Sequence, residues 1–354
     1  MKHGLVVMSA VVPTKGHQRL IRLAGSFCNR LTVVVSEVEG EPFSIQERVW
    51  ALESGCGSTT SFHWHDGTAA PQTCVTEEDW SYWVNLIKDK KITYKGRTTT
   101  LPERLTHLFG SDSYCVEYAR RLGLKCVLVD PEREVLPITG THVRKDPIRL
   151  QQEVHPEFLK QQQKTFVLFG TESVGKTYQA KLLANHFATP FYHEWARPYL
   201  EHVKPTPQPT DSDWLEHMGT IARMQSRIDR ETPEAWVKIQ DTDLLSTIGY
   251  YELHGNRGPA DYWRSVYQQG RLDTYSPSRR HYLVLTEGTF TDFVPDPLRY
   301  GGDCRESDTT FWINLLEEVG ANYTVITEDN KHSMKKLVEE KAGLTTIKNY
   351  VRPR

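Results

Sequence analysis

The chain has 354 residues, 38% hydrophobic and 25% charged, with a net charge of −2. That balance excludes the global positive field that would draw it to nucleic acid or an anionic membrane, and no apolar run reaches the roughly 20 residues that span a bilayer. The length favours two domains, and cysteines 28, 56, 74, 115, 126 and 304, with no C-x-x-C among them, read as reduced thiols of a cytoplasmic protein.

In chain order, strand-like runs alternate with helix-like ones, the pattern of parallel α/β architecture. The start, Met1 to Met8, carries too short an apolar run for a signal peptide and opens a strand, Leu5–Ser9. It leads through Val12-Pro13-Thr14-Lys15-Gly16-His17 into a helix, His17–Phe27. At such a strand-to-helix turn, Thr14, Lys15 and Gly16 would meet the phosphates of ATP at the helix N-terminus. His17 would hydrogen-bond phosphate oxygens and stabilise a pentacoordinate transition state. Strands follow at Leu31–Ser36, Ser61–His65, His107–Phe109 and Lys125–Val129, and helices at Ile45–Glu53, Glu77–Lys88 and Val116–Leu122. The pair His63 and His65 lacks a third ligand of suitable spacing and reads as structural. Trp80 and Trp83 share one helix face, where they either sandwich a planar ring or pack an amphipathic core. In Ile138-Thr139-Gly140-Thr141-His142-Val143-Arg144, the hydroxyls of Thr139 and Thr141 open a helix, with Arg144 one turn on. That set suits the β- and γ-phosphates of ATP; an ordinary N-cap with an exposed Arg is the alternative.

A domain boundary is expected near residue 155, before the polar run 160–164. Strands Thr165–Phe169, Trp236–Gln240, Tyr282–Thr286 and Tyr323–Ile326 then alternate with helices Lys176–Phe187, Asp211–Arg230, Asp243–Leu253 and Thr309–Val319. The prediction is therefore an α/β protein of two doubly wound parallel-sheet domains, 1–155 and 156–354.

Gly170-Thr171-Glu172-Ser173-Val174-Gly175-Lys176-Thr177 fills every specified position of G-x-x-x-x-G-K-[ST] between a strand and a helix. Backbone N–H groups of such a loop curl around phosphate oxygens, Lys176 neutralises the β/γ-phosphates, and the Thr177 hydroxyl ligates Mg²⁺. Asp241-Thr242-Asp243 ends the next strand. Either carboxylate could hold Mg²⁺ or act as base on an acceptor hydroxyl, and Asp243 alternatively only caps the following helix. Arg299 and Arg305 lie in a loop that either screens charge on the transferring phosphoryl group or is simply solvated.

In the second half, the P-loop, Glu194-Trp195-Ala196-Arg197-Pro198-Tyr199 and Asp241-Thr242-Asp243 resemble, in that order, the ribosylnicotinamide kinase domain of the NadR family. The resemblance implies ATP-dependent phosphorylation of nicotinamide riboside. Glu194, Arg197 and Tyr199 fall on a family substrate segment, and Thr291 to Arg299 on another. There Phe293 takes the place of a family Trp expected to stack on nicotinamide, Asp296 matches the family Asp, and Pro297 replaces a Gly. In the first half, T-x-G-H, the segment 128–133 and Ile138 to Arg144 resemble the same family's HIGH-type, Rossmann-like nucleotidyltransferase domain. That implies adenylyl transfer to nicotinamide mononucleotide (NMN), with Trp80 and Trp83 near the nicotinamide. Pro13 is displaced by one position and Thr14 stands where the family has His. The resemblance omits the family's N-terminal helix-turn-helix, so a repressor role is not expected.

The expected protein is thus a bifunctional enzyme of NAD salvage that uses Mg²⁺, ATP, nicotinamide riboside and NMN, with no nucleic-acid or membrane partner. Homo-oligomer formation is compatible with it. Two alternatives stand: a kinase with a weak or nucleotide-sensing first domain, and a P-loop switch that regulates a partner.

Overall fold

The computed structural model describes residues 1–71, 74–102, 104–203, 211–294 and 307–351. They form two compact units, one within residues 1–161 together with 343–351 and one within residues 162–342.

The first unit runs β1 (His3–Met8), α1 (Lys15–Phe27), β2 (Arg30–Glu37), α2 (Ile45–Glu53), β3 (Thr60–Asp66), α3 (Glu77–Lys88), β4 (Lys91–Tyr94), β5 (Arg97–Thr100), β6 (His107–Gly110), α4 (Tyr114–Leu122), β7 (Lys125–Leu128), α5 (Gly140–Lys145) and α6 (Pro156–Gln162). Its sheet has the order β3-β2-β1-β6-β7, and each pairing is parallel. Side chains alternate between its faces. Leu5 and Val34 join Trp80, Val84 and Leu108 on one side, while Val6, Val33 and Val35 join Leu20, Ile21 and Val49 on the other. Burial on both faces is why these strands read as continuous apolar runs. The strand order reverses beside β1, so the loops after β1 and β6 open a crevice at the strand C-termini.

The second unit runs β8 (Lys164–Phe169), α7 (Lys176–His186), β9 (Phe191–Tyr192), α8 (Ala196–Val203), α9 (Asp211–Arg230), β10 (Val237–Asp241), α10 (Leu244–Leu253), α11 (Arg257–Gln269), β11 (Arg280–Leu285), α12 (Thr309–Glu318), β12 (Tyr323–Ile326) and α13 (Met334–Lys341). Its sheet order is β12-β11-β8-β10-β9, again parallel throughout. The P-loop follows the central strand β8. A core of Phe169, Leu244, Ile248, Tyr282, Val284 and Trp312 packs helices onto it.

The predicted strands and long helices are present, and unpredicted elements join them, among them β9, α8, α11 and α13. The β4–β5 hairpin was not expected; its second strand is exposed along its whole length, so it lacks the buried alternation that marks a strand. The first unit extends to Gln161, a few residues past the expected boundary, and residues 343–351 return to it. The polar run before β8 is the end of α6, which the fully buried Phe158 and Leu159 fix to the first unit. Phe158 meets Phe43 edge-on at 4.9 Å. Beyond the second unit, α14 (Leu344–Asn349) anchors through buried Leu344 and Ile347. No helix among the described residues is long and apolar enough to cross a membrane.

A buried polar network braces the second unit. The Asp243 carboxylate accepts from Arg280 Nη1 at 2.7 Å, Tyr282 hydroxyl at 2.6 Å and Leu245 N at 3.0 Å. Asp229 accepts from Gln240 Nε2 at 2.8 Å, Tyr275 hydroxyl at 2.9 Å and Leu244 N at 3.0 Å. Lys238, also buried, satisfies the terminal carbonyls of α9 at Ile228 and Asp229. Removing one partner of a buried pair strands the other charge. Asp243→Ala should therefore cost about 3–5 kcal/mol of stability, read from urea unfolding of the full chain. A loss indistinguishable from that of a surface Asp→Ala control would refute the bracing role.

Candidate functional site

In each unit some of the candidate residues meet at the C-terminal ends of that unit's own strands. In the first, the crevice is a cavity of about 980 Å³ whose wall includes Thr14, Gly16, His17, Trp80, Trp83, Thr139, Thr141 and Arg144. Thr14 is the N-cap of α1. His17 N donates to Thr14 Oγ1 at 3.4 Å, and Thr14 N donates back to His17 Nδ1 at 3.0 Å. This is a capping box in which an imidazole replaces the usual carboxylate. A backbone N–H can only donate, so Nδ1 is an acceptor and the neutral ring carries its proton on Nε2. Surrounding protein and the cations Arg133 and Arg144 lower the His17 pKa to about 4. His17 is therefore a neutral hydrogen-bond donor at neutral pH.

The second motif repeats the device. Thr139 caps α5, accepting from His142 N at 3.2 Å and donating its N–H to His142 Nδ1 at 3.3 Å. A Cβ on Gly140 would lie 3.6 Å from His17 Cε1 and 3.8 Å from Arg144 Nη1, so residues far apart in sequence meet at one point. Arg144 Nη2 donates to Thr141 Oγ1 at 3.1 Å.

Three expectations shift in this unit. Thr14 is buried at 3% exposure and its hydroxyl caps α1, so in this structure it engages His17. Lys15, expected at the ATP phosphates, lines a separate shallow depression with Gln18 and Arg22, because the first turn of α1 carries it round to another face. The Trp pair splits: Trp80 is core, under Arg121 at 5.1 Å, whereas Trp83 is half-buried and donates Nε1 to Pro71 O at 3.1 Å. Sequence reasoning missed Arg133, which pairs with Asp112 at 2.6 Å on the same wall. It lay in a segment matched to the family without a role of its own. His65 is structural, as its ring nitrogens meet Ser36 Oγ at 3.0 Å and Tyr82 hydroxyl at 3.1 Å.

In the second unit the P-loop turns through positive φ at Gly170 (121°), Ser173 (53°) and Gly175 (88°). A Cβ at Gly170 would come within 2.6 Å of Leu285 O on β11, so only glycine fits between the two central strands. Lys176 Nζ donates to the carbonyls of Gly170 at 2.9 Å and Thr171 at 2.6 Å, which holds the ammonium in the loop's concavity. Val174 is buried. Thr177 Oγ1 donates to Asp241 Oδ2 at 2.5 Å. Asp241 Oδ1 is buried without a hydrogen-bond partner among the described residues, and burial raises the Asp241 pKa, with Thr177 and Lys176 opposing.

A buried orphan oxygen beside a P-loop hydroxyl is the donor set that Mg²⁺ takes along with substrate phosphates and water. Thr177 and Asp241 fit that ion. Among the described residues no cluster of three or more His, Cys, Asp or Glu would hold a metal unaided.

Other expectations separate here. Asp243 belongs to the Arg280–Tyr282 network, not to the phosphate site, because Thr242 (φ 62°) turns the chain between the two carboxylates. Glu172 shapes the loop, accepting from Thr171 Oγ1 at 2.7 Å and Tyr250 hydroxyl at 2.9 Å. Ser173 Oγ donates to Val294 O at 3.0 Å, which brings the segment bearing half-buried Phe293 to the P-loop. Glu194 precedes α8, on which Arg197 faces Glu201 at 3.9 Å. Tyr199 meets His217 at 3.0 Å. His193, not anticipated, acts electrostatically on Asp241. Asp296 and Arg299 lie outside the described residues.

Fold and sites together define an α/β protein with two parallel-sheet units, the second a P-loop nucleotide-binding unit. Residues 165–332 match the family described as an AAA domain. Over 264 residues the chain is 27% identical to the trifunctional NAD biosynthesis/regulator protein NadR of Escherichia coli (strain K12), a match covering 72% of this chain and 58% of that protein. The Salmonella typhimurium (strain LT2) protein of the same name is 27% identical over 222 residues, 60% of this chain and 50% of that one. By sequence the chain is similar to the NadR proteins, and it spans about half the length of these relatives. Two solved structures, NadR protein in complex with NR and NadR protein in complex with NAD and AMP-PNP, align at a TM-score of 0.48 and 18% identity. The first alignment covers 97% of both chains; the second covers 100% of this chain and 98% of the other.

Proposed function

We propose that the chain is a bifunctional enzyme of NAD salvage. The second unit phosphorylates nicotinamide riboside with ATP, and the first joins the resulting NMN to the AMP moiety of ATP, releasing pyrophosphate. The observation that carries the reading is the pair of strand-to-helix junctions, one headed by His17 and one by Lys176, each with its own phosphate-directed donors. The curated relatives named for NAD biosynthesis support it.

In the second unit Lys176 and the loop amides hold the β/γ-phosphates in line with the riboside hydroxyl, and Thr177 with Asp241 would hold Mg²⁺. Mg²⁺ supplies charge neutralisation when bound. Phosphoryl transfer asks for little beyond such positioning and charge. In the first unit the phosphate of NMN attacks the α-phosphorus of ATP and the bond to pyrophosphate breaks. His17 Nε2–H donates to the crowded phosphate oxygens, while Arg144 holds the departing phosphates.

The test is to supply nicotinamide riboside, ATP and Mg²⁺ to the full chain and follow NMN, NAD and pyrophosphate separately. No pyrophosphate from ATP plus NMN would remove the adenylyl-transfer half; no NMN from the riboside would remove the kinase half. Asp241→Asn should raise the Mg²⁺ concentration for half-maximal kinase rate by about 10–100-fold. A magnesium titration unchanged by this substitution would dismiss Asp241 as the metal carboxylate.

A further inference from the structure

The wall of the first cavity is completed by residues that the chain supplies only after the whole second unit. Leu344 and Ile347 of α14 are 0% and 1% exposed, and the helix packs against α5, which carries Arg144. Lys348 and Tyr350 then line the same cavity as His17 and Arg144. The Arg144 guanidinium carbon stands 5.8 Å from the centroid of the Tyr350 ring, inside the range of a cation–π contact. Its Nη2 is also bonded to Thr141 Oγ1. The guanidinium is thus held from two sides, one of them the C-terminal segment. Arg144, Lys145 and Lys348 all reach this cavity. The carboxylates on its wall are engaged: Asp112 pairs with Arg133 at 2.6 Å, and Asp130 accepts from Leu136 N at 2.9 Å and Val135 N at 3.2 Å. With Arg19 and Arg133 also on it, the wall carries more basic than acidic side chains, which suits a polyanion.

We propose that the C-terminal segment is a working part of the first unit's site, with Tyr350 a positioning residue that fixes Arg144 and Lys348 a cation that binds the terminal phosphates of a nucleoside triphosphate. The inference rests on the reading of this cavity as the adenylyl-transfer site. It also makes the P-loop unit an insertion between α6 and α14: a fragment ending at Gln161 lacks part of its own phosphate wall.

Three variants of the full chain test it, with NMN supplied so that the kinase step is bypassed. Lys348→Ala should raise the KM for ATP about tenfold while leaving kcat within about twofold. Tyr350→Leu should lower kcat about tenfold, and Tyr350→Phe, which keeps the ring, should restore it to within about twofold. A purely structural role for Tyr350 would make Phe and Leu equivalent. Calorimetric ATP binding by the Lys176→Ala chain, compared with and without Lys348→Ala, reads the first unit's share as the difference between the two, without turnover. Unchanged ATP affinity and KM in Lys348→Ala, with unchanged kcat in Tyr350→Leu, overturn the inference even if the parent makes NAD freely. Weakened ATP binding in Lys348→Ala, with no NAD from the parent, supports the inference and overturns the adenylyl-transfer reading instead.

Discussion

Lys176→Ala should lower phosphorylation of nicotinamide riboside by at least about a thousandfold and leave NAD formation from supplied NMN within about twofold of the parent, since the residue belongs to a separate unit. The loop that surrounds Lys176 is built from its own backbone: three left-handed residues at 170, 173 and 175 curl it, and the close approach of Leu285 O fixes its base. Alanine removes the ammonium that those carbonyls hold but leaves the curl intact. The loop amides would then still meet the phosphates, while charge building on the γ-phosphoryl group would go unneutralised. Both products are resolved by chromatography of one reaction series run with the riboside and another with NMN. If both series collapsed in a variant with parental unfolding behaviour, the assignment of two independent sites would be wrong.

How far the sequence foretold this depends on the distance over which each feature is encoded. The P-loop is legible because every constraint on it, two glycines, a lysine and a hydroxyl between strand and helix, is local and contiguous. The central strands are legible for a related reason, since burial on both faces leaves unbroken apolar runs such as Val33-Val34-Val35. Asp241 and Asp243 were not separable in advance, because what divides them is the left-handed turn at Thr242 and the presence of Arg280, a strand away. Lys15 looked like its neighbours in the T-x-G-H turn, yet helical geometry assigns adjacent residues to different faces. Lys348 and Tyr350 carried no signal at all. Their role depends on α14 rejoining a unit whose earlier segment ended at Gln161, and no periodicity records a return over that span.

His17→Ala should reverse the first result, lowering adenylyl transfer by about 10²–10³-fold and sparing the riboside kinase. The argument turns on which ring nitrogen carries the proton. Thr14 N–H donates to Nδ1, and the Thr14 hydroxyl stands 2.9 Å from the same atom. A second proton on the ring would set Nδ1–H against that amide and open the cap. Burial is the larger cause of the lowered pKa, with Arg133 and Arg144 next and Asp112 opposing weakly. In the folded chain the pKa of about 4 lies below the ordinary value of 6.5. Between those values the unfolded chain takes up a proton that the folded one refuses, so stability from the neutral ring is fully present above pH 6.5 and is lost as pH falls through 4. For kcat/KM of adenylyl transfer this group contributes no inflection between about pH 6 and pH 8, and its acid limb falls below about pH 5. The stability gap between parent and His17→Ala should shift over the same acid window in urea titrations. An NMR titration placing the His17 ring at its ordinary pKa would break the link between the capping box and the donor, and with it the role given to this residue.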